Sequence, residues 1–144
     1  MRKLAERWLS FAEKDLLVAR RLLDETEVFD MAAFHCQQAV EKSLKGLLAL
    51  FDVDIPKIHD LSRLYSLCSA TCRLDWDMEL LDEVNEFYIE TRYPIHEDQD
   101  PLKTTRAQLD QMVELAATGV KRLNDELSRL KGREWPAQDD HCAV

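Results

Sequence analysis

Glycine and proline are scarce in this sequence, with three and four residues among 144. Turns between strands draw heavily on these two residue types, so their scarcity argues against a strand-rich fold. Apolar residues make up 46% of the chain and charged residues 33%, enough to build a sizeable core under a charged surface. The composition therefore predicts one all-α domain.

The sequence also lacks any apolar run that approaches the length of a membrane-spanning helix. Its first sixteen residues carry charge throughout, so they lack the apolar centre of a signal peptide. From these two absences we expect a cytoplasmic protein with no membrane partner.

Basic residues are outnumbered, 19 against 28 acidic ones, and the formal net charge is -9. Such a surface repels phosphates on average, which argues against indiscriminate binding to nucleic acid or anionic membranes. A local basic site is compatible with this charge.

The four cysteines show none of the dense spacing of a disulfide framework, so we expect reduced thiols. Cys68 and Cys72 are four residues apart, the spacing that places two residues on one face of a helix. No further metal-ligand residues follow at zinc-site spacing, so the sequence predicts neither a metal site nor a cofactor.

Apolar periodicity predicts five helices. Their expected ranges are 2–24, 31–51, 61–70, 76–91 and 101–130, with Asp30, Asp60 or its neighbour His59, and Asp100 at the N-termini. The short links imply antiparallel neighbours. We therefore predict an up-and-down four-helix bundle with one additional short helix. Residues 1–131 are assigned to the bundle and 132–144 to a flexible tail.

The second predicted helix, Met31–Phe51, has apolar residues around more than half of its circumference, which is typical of the central helix of a bundle. The remainder is a narrow polar stripe, interrupted by three apolar positions, which suggests a second surface. The stripe is a candidate nucleotide- or partner-binding site and comprises His35, Gln38, Glu41, Lys42 and Lys45.

Two further positions predict contacts between helices. Asp15 lies on the apolar face of the first helix, either as an edge carboxylate that reaches water or as the partner of Lys42 or Lys45. Gly119 borders the apolar stripe of the last helix, where it permits close approach of another helix.

The densest set of chemically capable side chains follows the fourth helix, in the stretch TRYPIHEDQDP. It contains Arg92, Tyr93 and His96. The stretch is therefore the leading candidate for a chemically active site.

Four blocks of the chain, AERWLSFAEKDLLVARRLL, AFHCQQAVEKSLKGLLAL, HDLSRLYSLC and YIETRYP, resemble successive blocks of the HEPN domain family of bacteria and archaea. The resemblance implies a helical bundle that forms a homodimer. It also implies a gene often found beside an MNT-type nucleotidyltransferase, as a toxin/antitoxin pair. Many members of the family are metal-independent ribonucleases.

The family's catalytic motif is an arginine, four to six residues and then a histidine, and the resemblance places Arg92 and His96 in those roles. In metal-free RNA cleavage an imidazole is suited to remove the proton of the ribose 2′-hydroxyl, and a fixed guanidinium is suited to stabilise the phosphorane. Three residues separate the two here, one fewer than in the family's pattern. In the alternative interpretation Arg92 binds a bundle carboxylate such as Glu41, and His96 is an exposed loop residue.

Three functions thus remain open. The first is a metal-independent endoribonuclease that uses Arg92 and His96. The second is a non-catalytic module that binds a nucleotidyltransferase, with Met31, Phe34, Gln38 and the acidic face of the fourth helix as candidate surfaces. The third is a nucleotide-binding domain, for which the candidate residues are Gln38, Glu41, Lys42, Lys45, Arg92 and Tyr93. Its simpler alternative is ordinary pairing of the two lysines with Glu41 and Gln38.

Overall fold

A computed structural model describes residues 2–87 and 103–132 of the chain. Every regular element in these two ranges is helical, so the predicted all-α class is confirmed. The helices are α1 (Arg2–Arg21), α2 (Phe29–Leu50), α3 (Leu61–Ser69), α4 (Met78–Asn85) and α5 (Arg106–Gly132), and a short 3-10 helix spans Thr26–Val28. None of the helices in these ranges has the length and hydropathy needed to cross a membrane.

α2 is the central helix, as its wide apolar arc predicts. It contacts α1, α3, α4 and α5. Val40, Leu44, Leu47 and Leu48 on this helix are fully buried. Full burial of each such side chain contributes roughly 1.5 to 3 kcal/mol, so α2 supplies a large share of the core.

The helix directions follow from a few side-chain contacts. Asp15 near the end of α1 bonds His35 near the start of α2, whereas Lys45 near the end of α2 lies over the ring of Trp8. α1 and α2 are therefore antiparallel. A Cβ atom on Gly46 would overlap Leu123, and one on Gly119 would lie 3.2 Å from Ser43 Cβ. Going from Ser43 to Gly46 along α2, the contacted residue on α5 moves from Gly119 to Leu123. α2 and α5 therefore run in the same direction.

The contact at Gly119 confirms that this glycine permits close approach of two helices. Gly46 plays the same part on α2, where its missing side chain makes room for both α1 and α5. The two longest described helices, α2 and α5, thus each carry one glycine at a point of close helix packing.

Three predicted helix starts are corrected or confirmed by the observed caps. Asp60 caps α3 by accepting a hydrogen bond from Ser62 N–H at 3.0 Å, as predicted. Asp30 is not a cap, because the preceding 3-10 turn leads directly into α2 and places Asp30 in its first turn. α4 begins at Met78, where Asp77 accepts from two backbone N–H groups.

The start of α5 also differs from the prediction. The helix begins at Arg106, because Thr105 and Gln108 form a capping box in which each side chain accepts the other residue's backbone N–H. Asp100 and Pro101, which were expected to start this helix, lie outside the described residues, as does the predicted end of the fourth helix at Thr91.

α2 ends at Leu50, one residue before its predicted end. Asp52 adopts a left-handed conformation with φ of 60°. Val53 N–H donates to Leu48 O at 2.9 Å, and Asp52 N–H donates to Ala49 O at 3.2 Å. These two bonds make a Schellman motif with aspartate where glycine is usual.

Candidate functional site

Glu41 is the centre of a buried polar network on α2. Its side chain is 5% exposed. Oε2 accepts a hydrogen bond from Lys45 Nζ at 2.9 Å and lies 3.0 Å from His59 Nδ1. Oε1 accepts from Gln37 Nε2 at 3.3 Å. Because a carboxylate only accepts hydrogen bonds, His59 Nδ1 carries the proton in this contact.

Gln37 extends the network to the loop before α3. It is fully buried, and its Nε2 also lies 3.3 Å from the backbone oxygen of His59. Its Oε1 accepts from Gln38 Nε2 at 2.7 Å. Sequence analysis missed Gln37, although it stands four residues before Glu41 just as Lys45 stands four residues after it.

A second cluster joins α1 to α2 through Asp15. Its side chain is 11% exposed, and Oδ2 accepts from Lys42 Nζ at 2.6 Å. Oδ1 lies 2.8 Å from His35 Nδ1. Of the two predicted interpretations of Asp15, the ion pair with Lys42 is the one observed. The participation of His35 was not anticipated.

The predicted polar stripe is therefore divided between two carboxylates. Lys42 forms an ion pair with Asp15, and Lys45 forms one with Glu41. Lys45 is largely covered, with 8% of its side chain exposed and its ammonium 5.8 Å above the ring of Trp8. Each ammonium is thus compensated within the protein. Chemically, this arrangement holds α1 and the loop before α3 against α2, since removing one partner would leave a buried charge.

The start of α3 is a junction between the Glu41 network and the end of α4. Leu61 N–H donates to Asn85 Oδ1 at 3.0 Å. Asn85 Nδ2 donates to Asp60 Oδ1 at 3.4 Å. Asn85 is the last residue of α4, and His59 precedes Asp60 directly. We call residues 59–61 with Asn85 the α3 junction.

Arg92, Tyr93 and His96 lie outside the described residues. In the sequence, Arg92 follows Asn85 of the α3 junction by seven positions. Phe87, the last residue described before this stretch, is 5% exposed and belongs to the core.

The three cysteines in the described ranges are poorly suited to bind a metal ion, because their thiols resist ionisation. Burial raises the pKa of both Cys36 and Cys68 to about 12, and Cys68 Sγ donates to Leu44 O at 3.3 Å. Burial also raises the pKa of Cys72. Within residues 2–87 and 103–132, no group of three or more His, Cys, Asp or Glu side chains is placed to hold a metal ion.

A shallow groove of about 260 Å³ lies between residues 75–80 and α5. Trp76 and Thr118 line it together with Asp75, Asp77 and Glu114. Its three lining carboxylates would repel a phosphate, and none of the predicted site residues within the described ranges lines it.

Comparison with known proteins gives a consistent result. The model of the HEPN domain family matches residues 5–126. The crystal structure of TT1696 from Thermus thermophilus superimposes with a TM-score of 0.66 at 26% identity, over 84% of this chain and 96% of that one. ST0689, an archaeal HEPN homologue, superimposes with a TM-score of 0.63 at 23% identity, over 85% of this chain and 97% of that one. No curated protein matches the chain.

Proposed function

Because this chain belongs to the HEPN domain family, we propose that it is the dimeric partner of an MNT-type nucleotidyltransferase in a toxin/antitoxin-type pair and cleaves RNA without a metal ion. In this proposal the helices form an up-and-down four-helix bundle over residues 1–131, followed by a flexible tail. The protein works in the cytoplasm.

The observation that carries the proposal is the α3 junction. A buried charged network is costly to build, and Glu41 is surrounded by hydrogen-bond donors that fix its position. The network holds His59, while Asn85 holds Leu61 from the other side. Arg92 follows Asn85 by seven positions in the sequence. Fixing a segment that is close in sequence to a pair of catalytic side chains favours their accurate placement.

In the proposed reaction, His96 removes the proton from the 2′-hydroxyl, and the resulting oxygen attacks the adjacent phosphorus. Arg92 stabilises the negative charge on the phosphorane, and the 5′ oxygen leaves with a proton from a second acid. Two copies of the pair, related by a twofold axis, would form one composite site.

Nucleotide binding by the α2 stripe receives less support. Lys42 and Lys45 each have a carboxylate partner at 2.9 Å or less, so a phosphate would compete with Asp15 and Glu41 for them. The non-catalytic interaction module is the better second candidate, because α1 presents exposed apolar side chains, with Phe11 46% exposed.

The first experiment incubates the purified protein with labelled structured RNA in EDTA, beside Arg92→Ala and His96→Ala. Arg63→Ala is the matched control, because Arg63 is an exposed arginine on α3. We expect cleavage by the wild type and the control and its loss in the two test variants. Equal products from all four proteins would indicate contamination and remove the ribonuclease from the proposal.

The dimer and the partner need separate measurements. Sedimentation should give twice 16.8 kDa at micromolar concentration. A nucleotidyltransferase encoded beside this chain should copurify with it at a fixed ratio. A monomer would exclude the composite site, and failure to copurify would exclude the toxin/antitoxin-type pair.

A further inference from the structure

α1 exposes a row of apolar side chains along its outer side. Leu4 and Phe11 are each 46% exposed, and Val18 is 37% exposed. They are spaced seven residues apart, about 10.5 Å along the helix, and so form one nearly straight row. Isolated exposed apolar residues are ordinary, but a row of this regularity is typical of a surface that another helix covers.

A second row, of basic residues, runs beside the first. Arg7, Lys14 and Arg21 have the same spacing of seven residues, and all three are exposed. Each follows an apolar-row residue by three positions, which places the two rows next to each other on the helix. We call these two rows together the α1 outer face.

The charges of the outer face have no partners within the described parts of the chain. α1 carries six basic and three acidic residues, a net charge of +3 in a chain of -9. Among its basic side chains only Arg2 forms an ion pair, with Glu6 at 3.8 Å. Lys14 instead lies 5.7 Å from the centre of the Phe11 ring.

These features point to the chemistry of the occupant. An apolar row beside a basic row is complementary to a helix with an apolar row beside carboxylates, as in the pairing of coiled-coil helices. RNA is less suited, because Leu4 and Val18 offer bases no flat surface for stacking.

The α1 helix of a second copy is a poorer fit. In an antiparallel pair of α1 helices the basic row would face its own copy, and like charges would repel. In a parallel pair it would face the α2 edge, where Gln38 and Lys42 lie and Asp15 is already paired. Neither arrangement supplies a free carboxylate row.

We propose that the α1 outer face binds an acidic amphipathic helix of a partner protein. This deepens the partner role within the proposed function and rests on that role, but it is independent of RNA cleavage.

The test uses the full chain and two designed peptides, each about three heptads long and cross-linked to stay helical. One has a single leucine per heptad flanked by glutamates, and its twin has lysine in place of every glutamate. Binding is measured by fluorescence anisotropy. The variants are Phe11→Glu and the double change Arg7→Glu with Lys14→Glu. Leu67→Glu is the control, since Leu67 is 37% exposed on α3.

We expect the glutamate peptide to bind the wild type and the control, with at least about a tenfold loss of affinity in Phe11→Glu. The charge-reversed variant should prefer the lysine peptide. Circular dichroism establishes that each variant is folded.

Failure of the wild type to bind the glutamate peptide, or equal binding of both peptides, would overturn the proposal. A dimer that Phe11→Glu converts to a monomer would assign the face to a second copy. Binding of single-stranded RNA that is lost on charge reversal would assign it to nucleic acid. The EDTA cleavage assay is read separately, so loss of ribonuclease activity and loss of the docking face are distinguishable.

Discussion

α1 and α5 both pack on α2, but they use their basic residues in opposite ways. On α5, Arg122 and Arg129 both donate to Glu126, and Lys121 pairs with Asp125 at 2.6 Å. On α1, the basic residues of the outer face form no ion pair in the described ranges. The charges of these three α5 residues are paired within their own helix, whereas those of the α1 outer face remain available to another molecule.

The two helices also differ in how they attach to α2. α1 is held partly by charge, through Asp15 with Lys42 and His35. α5 is held by close approach at Gly46 and Gly119. The α1 interface should therefore respond to the loss of a charge and the α5 interface to added volume.

The largest effect should come from the charge network on α2. Glu41→Ala leaves Lys45 buried without its carboxylate, and we expect a loss of about 3 to 5 kcal/mol in the free energy of unfolding. Asp125→Ala breaks an exposed pair on α5 and should cost less than about 1 kcal/mol. Urea denaturation measures both. Equal losses would show that burial does not increase the contribution of the Glu41–Lys45 pair to the free energy of unfolding.

Added volume should act on the α5 interface. In Gly46→Ala the new methyl group meets both Leu123 and Trp8, so we expect destabilisation of about 1 to 3 kcal/mol. Gly119→Ala meets Ser43 at 3.2 Å, and the gain in helix propensity, about 1 kcal/mol, offsets much of that contact. The melting temperature of Gly46→Ala should therefore be clearly lower than that of Gly119→Ala. A greater loss from Gly119→Ala would contradict the observed packing.

The ion cluster of α5 should give a smaller, pH-dependent effect. Burial opposes ionisation of Glu126, but hydrogen bonds from Arg129 and Arg122 outweigh it and hold its pKa below the ordinary 4.5. The resulting stability is complete above the unfolded pKa and is lost as the pH falls through the lower folded value.

Glu126→Gln should therefore reduce the free energy of unfolding by about 1 kcal/mol at neutral pH. The difference from the wild type should disappear in acid. Denaturation curves recorded across this pH range measure it. A difference that persists unchanged in strong acid would show that the carboxylate charge is not its source.

The smallest effect should be a gain. Asp52 occupies a left-handed conformation at the end of α2, where glycine has no steric penalty. Asp52→Gly should raise the free energy of unfolding by up to about 1 kcal/mol. Asp54→Gly is the control, because Asp54 lies beyond the motif and has no positive φ. Stabilisation by the control alone would mean that the conformation of Asp52 is not strained.

Periodicity predicted the features that depend on one helix at a time. It identified α2 as central and placed Asp15 on the inner face of α1, where the pair with Lys42 is observed. It also limited the cap of α3 to Asp60 or His59, of which Asp60 is observed. Each of these follows from spacing along a single element.

Features that depend on contact between segments far apart in the sequence could not be predicted from periodicity. Neither the contact between His59 and Glu41 nor the space required at Gly46 is encoded by local spacing. The Thr105 capping box was visible as T-x-x-Q, but the nearby Asp100 and Pro101 offered a stronger start signal. The roles of Arg92 and His96 stay predictions from the family motif.

The positions of Trp8 and Trp76 provide a way to observe the two interfaces separately. Trp8 lies beside Gly46 and under the Lys45 ammonium, at the contact of α1 with α2. Trp76 packs on Tyr65, with ring centres 5.6 Å apart, and reaches Gly119 on α5. With Trp135 replaced by phenylalanine throughout and Trp8 or Trp76 replaced in turn, the fluorescence of the remaining indole would report on one side of the bundle. The order in which α1 and α5 detach during unfolding would then be visible without an attached label.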